Sequence, residues 1–223
     1  MPASAKPTPS ARDFLPSRLS LESLREAASR CRGCALYQHA TQTVFGLGRE
    51  TARMMLVGEQ PGDEEDRRGA PFIGPAGRLL DEALAAARID RADTYVTNIV
   101  KHFKWVAQGK RRLHQKPTGR EVAACLPWLE KEIELIEPEL VVCLGATAAQ
   151  ALLGREFRVT VSRGRSVPTR FGPPGLATVH PSSILRQRTP EEREREMARF
   201  VADLEVAASL VDGTAHRSRN AGR

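Results

Sequence analysis

The chain has 223 residues, 41% hydrophobic and 27% charged, a composition that suits one compact domain with a sizeable core. Thirty-four Lys and Arg against 27 Asp and Glu leave a formal charge of +7, which favours a polyanionic partner, nucleic acid first. No run approaches the roughly 18 uncharged apolar residues of a membrane span, and the opening MPASAKPTPSARDF has no apolar signal core, so membrane and exported readings are set aside. Four cysteines, two of them as Cys31-Arg-Gly-Cys34, then read as metal or redox ligands sooner than as disulfides.

Residues 1–17, rich in Pro, Ser and Ala, are expected to form a mobile tail, as are the basic residues 212–223, which leaves 18–211 as the folded domain. Within it the patterning predicts a helix over 21–30, a strand over 53–57 and a helix on which Leu79, Leu80, Ala83, Leu84 and Ala87 share one face. A strand over 94–100 completes a βαβ unit. Thr118 and Glu121 form a capping box for a helix that Pro127 kinks or divides and Pro138 ends, before a strand over 140–144. A short helix over 147–153 closes at Gly154, and strands over 157–161 and 176–179 follow. Thr189, Pro190 and Glu192 start a last helix reaching about Leu210. This alternation predicts a three-layer α/β/α fold with a central, mostly parallel sheet and functional loops at the carboxyl ends of its strands.

Two loops sit where that rule puts chemistry. GEQPGDEED follows the 53–57 strand, with Gly58 and Pro61 fixing the turn and Glu59, Gln60 and Asp63 among its polar groups. VHPSSIL follows the 176–179 strand, where His180 leaves the sheet and Ser182 and Ser183 are placed to hydrogen-bond phosphate. Phe72 lies among the breaks of PFIGPAG, either offering its face to a flat base or anchoring the loop in the core. Asn98, inside the apolar TYVTNIVK, needs buried partners, and a base edge is one. The acid-free loop GKRRLHQKP carries Lys110, Arg111, Arg112 and Lys116 for a phosphate backbone around His114, which neighbouring cations keep neutral. Cys31 and Cys34 need two further ligands from His102, Cys125 and Cys143. Cys143 reads as a core residue of an apolar strand, so His102 and Cys125 are preferred, while spacing leaves zinc and an iron-sulfur cluster both open.

Together GEQPGDEED, PFIGPAG, TNIVK and VHPSSIL, in that order, resemble the motifs of the uracil-DNA glycosylase superfamily between about Cys31 and Phe200, in particular the iron-sulfur family 4 enzymes and the related UdgX group. Gln60 and the loop KRRLH resemble UdgX, whose loop histidine bonds covalently to DNA; His102 stands where family 4 has a cluster cysteine. The resemblance implies a 4Fe-4S cluster on Cys31, Cys34, His102 and Cys125, with Cys143 the alternative to His102. It further implies flipping of a uracil from DNA, single strands preferred, stacking on Phe72 in a pocket that includes Gly58, reading by Asn98 and donation by His180 to uracil O2. His114 would then attack C1′ in place of water, with Glu59 orienting it or accepting its proton and Gln60 and Asp63 shaping the sugar pocket. A monomer in the bacterial cytoplasm, nucleoid-associated when DNA-bound, is the expected setting. A multiple-turnover family 4-like enzyme, and a metal-stabilised nucleic-acid-binding module without chemistry, are the alternatives.

Overall fold

The computed structural model describes residues 9–221. In chain order its elements are α1 (Leu21–Ser29), β1 (Leu47–Gly48), β2 (Met54–Gly58), α2 (Asp63–Arg68), α3 (Pro75–Ala86), β3 (Thr94–Asn98), β4 (Trp105–Gln108) and β5 (Arg111–His114). There follow α4 (Gly119–Ile136), β6 (Leu140–Leu144), α5 (Ala146–Leu153), α6 (Val159–Ser162), β7 (Ser166–Val167), β8 (Gly175–Thr178), α7 (Pro181–Leu185) and α8 (Pro190–Ala221).

Six strands form one sheet in the order β1-β3-β2-β6-β8-β7. The inner four run parallel, and the two-residue edges β1 and β7 run antiparallel. Because side chains alternate along a strand, each apolar run feeds both faces of the sheet. Met55, Val57, Val141 and Cys143 pack under α1, α4 and α5 with Leu24, Trp128, Leu129 and Ala148. Met54, Leu56, Val142 and Leu144 pack under α3, α7 and α8 with Leu80, Leu84, Ile184, Phe200 and Leu204. The result is the three-layer α/β/α arrangement that the alternation predicts. No helix among the described residues is long and apolar enough to cross a membrane.

Several local expectations are corrected. Residues 11–14, expected in a mobile tail, form a 3-10 turn capped by Ser10, and Ala11 is fully buried beside the core. Residues 1–8 of that tail, and 222–223 of the other, lie outside the described residues. The backbone of α8 continues past Leu210 to Ala221. Pro127 does not divide α4: burial of Trp128, Leu129, Ile133 and Ile136 beyond it outweighs the helix bond it removes. The run 157–161 contains no strand; α6 forms over Val159–Ser162, and Ser166 and Val167 take the sheet edge instead. The basic loop is in fact the antiparallel hairpin β4-β5, turned at Gly109 with φ 58°. Its exposed, polar second strand hides the period-two signal that a buried strand would give.

Candidate active site at the carboxyl ends of the strands

β2 and β3 end level with each other, Gly58 opposite Asn98, where open α/β sheets form their ligand crevice. Gly58 must lack a side chain because the Asn98 amide and the Phe72 ring lie over it, and a Cβ would collide with both. Asn98 is 2% exposed, and its Oδ1 finds no hydrogen-bond partner among the described residues. A buried acceptor in that state costs about 1 to 3 kcal/mol until a ligand N–H meets it. Phe72 is buried beside it in a left-handed conformation, φ 54°, which an aromatic residue rarely adopts unaided. Gly77 permits it by packing directly on the Phe72 carbonyl, where a Cβ has no room. The buried Glu65 of α2 accepts from the N–H groups of Gly62, Ile73 and Gly74 at 3.1, 3.1 and 2.8 Å, tying the first loop to the Phe72 loop. The Phe72 and His180 rings stand 5.9 Å apart at 31°, so aromatic, amide and imidazole converge over the strand ends.

His180 caps α7: its Nδ1 accepts the Ser182 N–H at 3.1 Å. An acceptor at Nδ1 puts the proton of the neutral ring on Nε2, which makes Nε2 a donor. Burial lowers the His180 pKa to about 4 despite the Glu59 charge nearby, so the neutral ring persists at physiological pH. The two serines expected at phosphate hydrogen-bond within this turn. Ser182 Oγ lies 2.8 Å from His180 Nδ1 and accepts from Arg186 at 3.0 Å, and Ser183 Oγ donates to the His180 carbonyl at 2.7 Å.

Glu59 follows β2 and faces the hairpin, with Oε1 3.3 Å from His114 Nε2. Its other oxygen accepts from the Thr147 hydroxyl. Burial pushes the Glu59 carboxyl up, but hydrogen bonds from His114 and Thr147 outweigh burial and hold it below the usual carboxylate range. His114 is half-exposed at the root of the hairpin, against Phe103 with ring centroids 6.2 Å apart. Gln60 and Asp63, expected to shape a sugar pocket, hold this hairpin. Gln60 Nε2 donates to the carbonyls of Lys104 and Gln115 at 3.2 and 3.1 Å, and its Oε1 accepts the Lys104 N–H at 3.1 Å. Arg112, expected at phosphate, instead pairs with Asp63 and the fully buried Asp66 and lies over the Phe103 and Trp105 rings. Lys110, Arg111 and Lys116 remain exposed along the hairpin.

Residues 45–205 match the model of the uracil-DNA glycosylase superfamily. The chain belongs to the uracil-DNA glycosylase superfamily. It is 36% identical over 192 residues to the Type-4 uracil-DNA glycosylase of Thermotoga maritima, covering 86% of this chain and 94% of that protein. It is 36% identical over 190 residues to the Type-4 enzyme of Archaeoglobus fulgidus, covering 81% and 92%. The Type-5 uracil-DNA glycosylase of Thermus thermophilus is 30% identical over 184 residues, covering 77% and 83%.

On this uracil-DNA glycosylase fold the cysteines divide as their surroundings suggest. Cys34 and Cys31 both lie within electrostatic reach of Cys125, whose thiol burial pushes up to about 12. Backbone N–H groups point at two of the sulfurs, Gly33 to Cys31 at 3.4 Å and Lys101 to Cys125 at 3.3 Å. His102 lines the same cleft as Cys31, its Nε2 2.9 Å from the Thr43 hydroxyl. Cys143 is fully buried in β6, between Val57 and Ala177 of the neighbouring strands, and belongs to the core. Among the described residues no three His, Cys, Asp or Glu side chains converge as one metal ion requires.

Three further residues support the site. Thr147 stands beyond the end of β6 in LGAT, at the kind of strand end that singled out Glu59 and His180. Glu65 is one acid among several in GEQPGDEED, and nothing local marks it as the buried one. Lys101 is fully buried and pairs with Glu132; its Nζ donates to Thr97 Oγ1 at 2.7 Å and to the Asn98 carbonyl at 2.8 Å, bracing the strand end that carries Asn98. Only tertiary packing brings Glu132 of α4 to Lys101, so no spacing rule finds that pair.

Proposed function

We propose that this protein excises uracil from DNA, preferably single-stranded, and then joins C1′ of the freed sugar to His114. The observation that carries the reading is the Glu59 to His114 contact, made on a hairpin that Gln60 and Arg112 anchor; beside it stands Asn98 Oδ1, which has no hydrogen-bond partner among the described residues, as the group that reads the base. The Type-4 relatives are uracil-DNA glycosylases by name, which supports the excision half.

A uracil on the Phe72 side of the crevice would give its N3–H to Asn98 Oδ1 and take the Asn98 amide N–H at O4. Cytosine presents the reverse pattern at that edge and leaves the pocket's polar groups unpaired. The N1–C1′ bond breaks with its electron pair leaving on uracil, and the neutral His180 donates from Nε2 to O2, where the negative charge grows. His114 forms the new bond to C1′ and gives its ring proton to Glu59; the departing uracil anion takes up that proton by way of solvent, which returns Glu59 to its carboxylate, so atoms and charge balance. A fixed imidazole has an effective concentration of roughly 10⁵ M or more, enough to outcompete water. Lys110, Arg111 and Lys116 follow the phosphate backbone. The protein works as a monomer in the cytoplasm.

In this reading Cys31, Cys34, Cys125 and His102 would hold a 4Fe-4S cluster, which would supply a cross-link between the end of α1, the 102 segment and α4. Cys125→Ala should bleach the protein's visible thiolate-to-iron absorbance and lower its soluble yield, while Cys143→Ala should keep the colour. Bleaching by Cys143→Ala alone would reverse the ligand assignment.

The test of function is incubation with a uracil-containing single-stranded oligonucleotide, followed by a denaturing gel and assay of free uracil. Wild-type protein should release uracil and leave a protein-DNA species that survives heat and detergent. His114→Ser should release uracil without that species. A wild-type enzyme that turns over many equivalents with no such species would establish the conventional glycosylase instead.

A further inference from the structure

We infer that Thr147 is a positioning residue of this reaction, fixing the Glu59 carboxylate in the plane that presents its second oxygen to His114. The inference rests on the proposed capture by His114. Thr147 occupies the second residue of α5, is 9% exposed, and donates its hydroxyl proton to Glu59 Oε2. The remaining oxygen, Oε1, faces His114 Nε2 at 3.3 Å. One oxygen is therefore held by the sheet-side turn and the other faces the hairpin, so the hydroxyl decides whether the carboxylate meets the imidazole edge-on.

The turn that carries Thr147 is itself tightly placed. Gly145 adopts φ 97° and lies so close to His180 that a Cβ on it would stand 3.0 Å from the His180 Cβ. Its N–H donates to the Thr178 carbonyl at 2.9 Å, two residues before His180. One turn thus sets both the carboxylate that serves His114 and the backbone of the histidine that serves the leaving base. A positioned partner of this kind contributes through geometry, and loosening it costs rate without removing any reacting group.

The titratable groups facing Glu59 are His114 from β5 and His180 from the start of α7; Thr147 from α5 is the neutral donor between them. Both the His114 and Thr147 hydrogen bonds favour the ionised carboxylate. Removing the hydroxyl should therefore raise the Glu59 pKa and move the acid limb of adduct formation to higher pH, because protonated Glu59 cannot accept from the imidazole.

The experiment measures the single-turnover rate of adduct formation against pH, with noncovalent DNA affinity alongside, for wild type, Thr147→Val and Thr147→Ser. Thr147→Val keeps the branched shape without the hydroxyl; it should slow the adduct by about tenfold, shift the acid limb upward and leave affinity unchanged. Thr147→Ser should restore both rate and profile. Should Thr147→Val fail to fold, Thr147→Ala gives the same readout against Thr147→Ser. A wild-type rate and profile in Thr147→Val, or equal impairment of the Val and Ser variants, would overturn the inference alone. A wild-type protein that forms no adduct would overturn the reading beneath it, and the inference with it.

Discussion

Asn98→Asp should lower uracil release by about 10⁴-fold, the scale at which sites built around a substrate's hydrogen-bonding edge reject a mismatched pattern. The exchange replaces the amide donor by an acceptor, so uracil O4 meets a carboxylate oxygen. The amide of Asn98 is nearly inaccessible, and Lys101 holds its backbone carbonyl at 2.8 Å, so the side chain has no easy retreat from the pocket. A charge introduced there also lacks solvent, which adds a desolvation cost to the lost contact. Release should be measured as free uracil under single-turnover conditions, together with the thermal midpoint of the variant. Retention of the wild-type rate in a folded Asn98→Asp protein would remove Asn98 from base recognition.

His180→Ala should lower uracil release by about 10² to 10³-fold, the usual loss when one donor to a developing oxyanion is deleted. Adduct formation should fall with it, because capture waits on departure of the base. The pH dependence gives the sign independently. Burial depresses the His180 pKa from 6.5 to about 4, and the Ser182 N–H already points at the nitrogen that protonation would occupy. Wild-type release should therefore hold its rate as pH falls through the ordinary histidine range and drop only as it approaches 4. The linked stability has the same sense. The unfolded chain takes up the proton near 6.5 and the folded chain resists until about 4, so stability present above 6.5 is lost as pH falls through that window. A drop in release centred near the unperturbed histidine value would contradict a neutral donor at His180.

The sheet is legible where local chemistry repeats itself. The strand over 140–144 agrees with the structure residue for residue, since a fully buried strand is apolar on both faces. Thr118 and Thr189 cap α4 and α8 as their spacing predicts, accepting the N–H groups of Glu121 and Glu192. Glu59, Asn98 and His180 announce themselves as polar residues at the ends of apolar strands. The sequence around Arg112 shows only cationic neighbours, whereas the fold brings Asp63 and the buried Asp66 to its guanidinium. Ser182 and Ser183 have a second partner two or three residues away, because a capping turn uses the same hydroxyls that a phosphate would. The run 157–161 has β-branched residues but no neighbour that accepts it as a strand, because β8 pairs with Ser166 and Val167.

The central claim is that one side chain, His114, becomes the point of attachment. The most direct measurement is proteolysis of the protein after reaction with a uracil-containing single-stranded oligonucleotide, nuclease trimming of the DNA, and mass spectrometry of the peptide that carries the residual sugar. The account predicts a single modified peptide with the sugar on His114 and none on Glu59, His180 or a lysine of the hairpin. A sugar on any other residue, or an unmodified digest after complete uracil release, would contradict it.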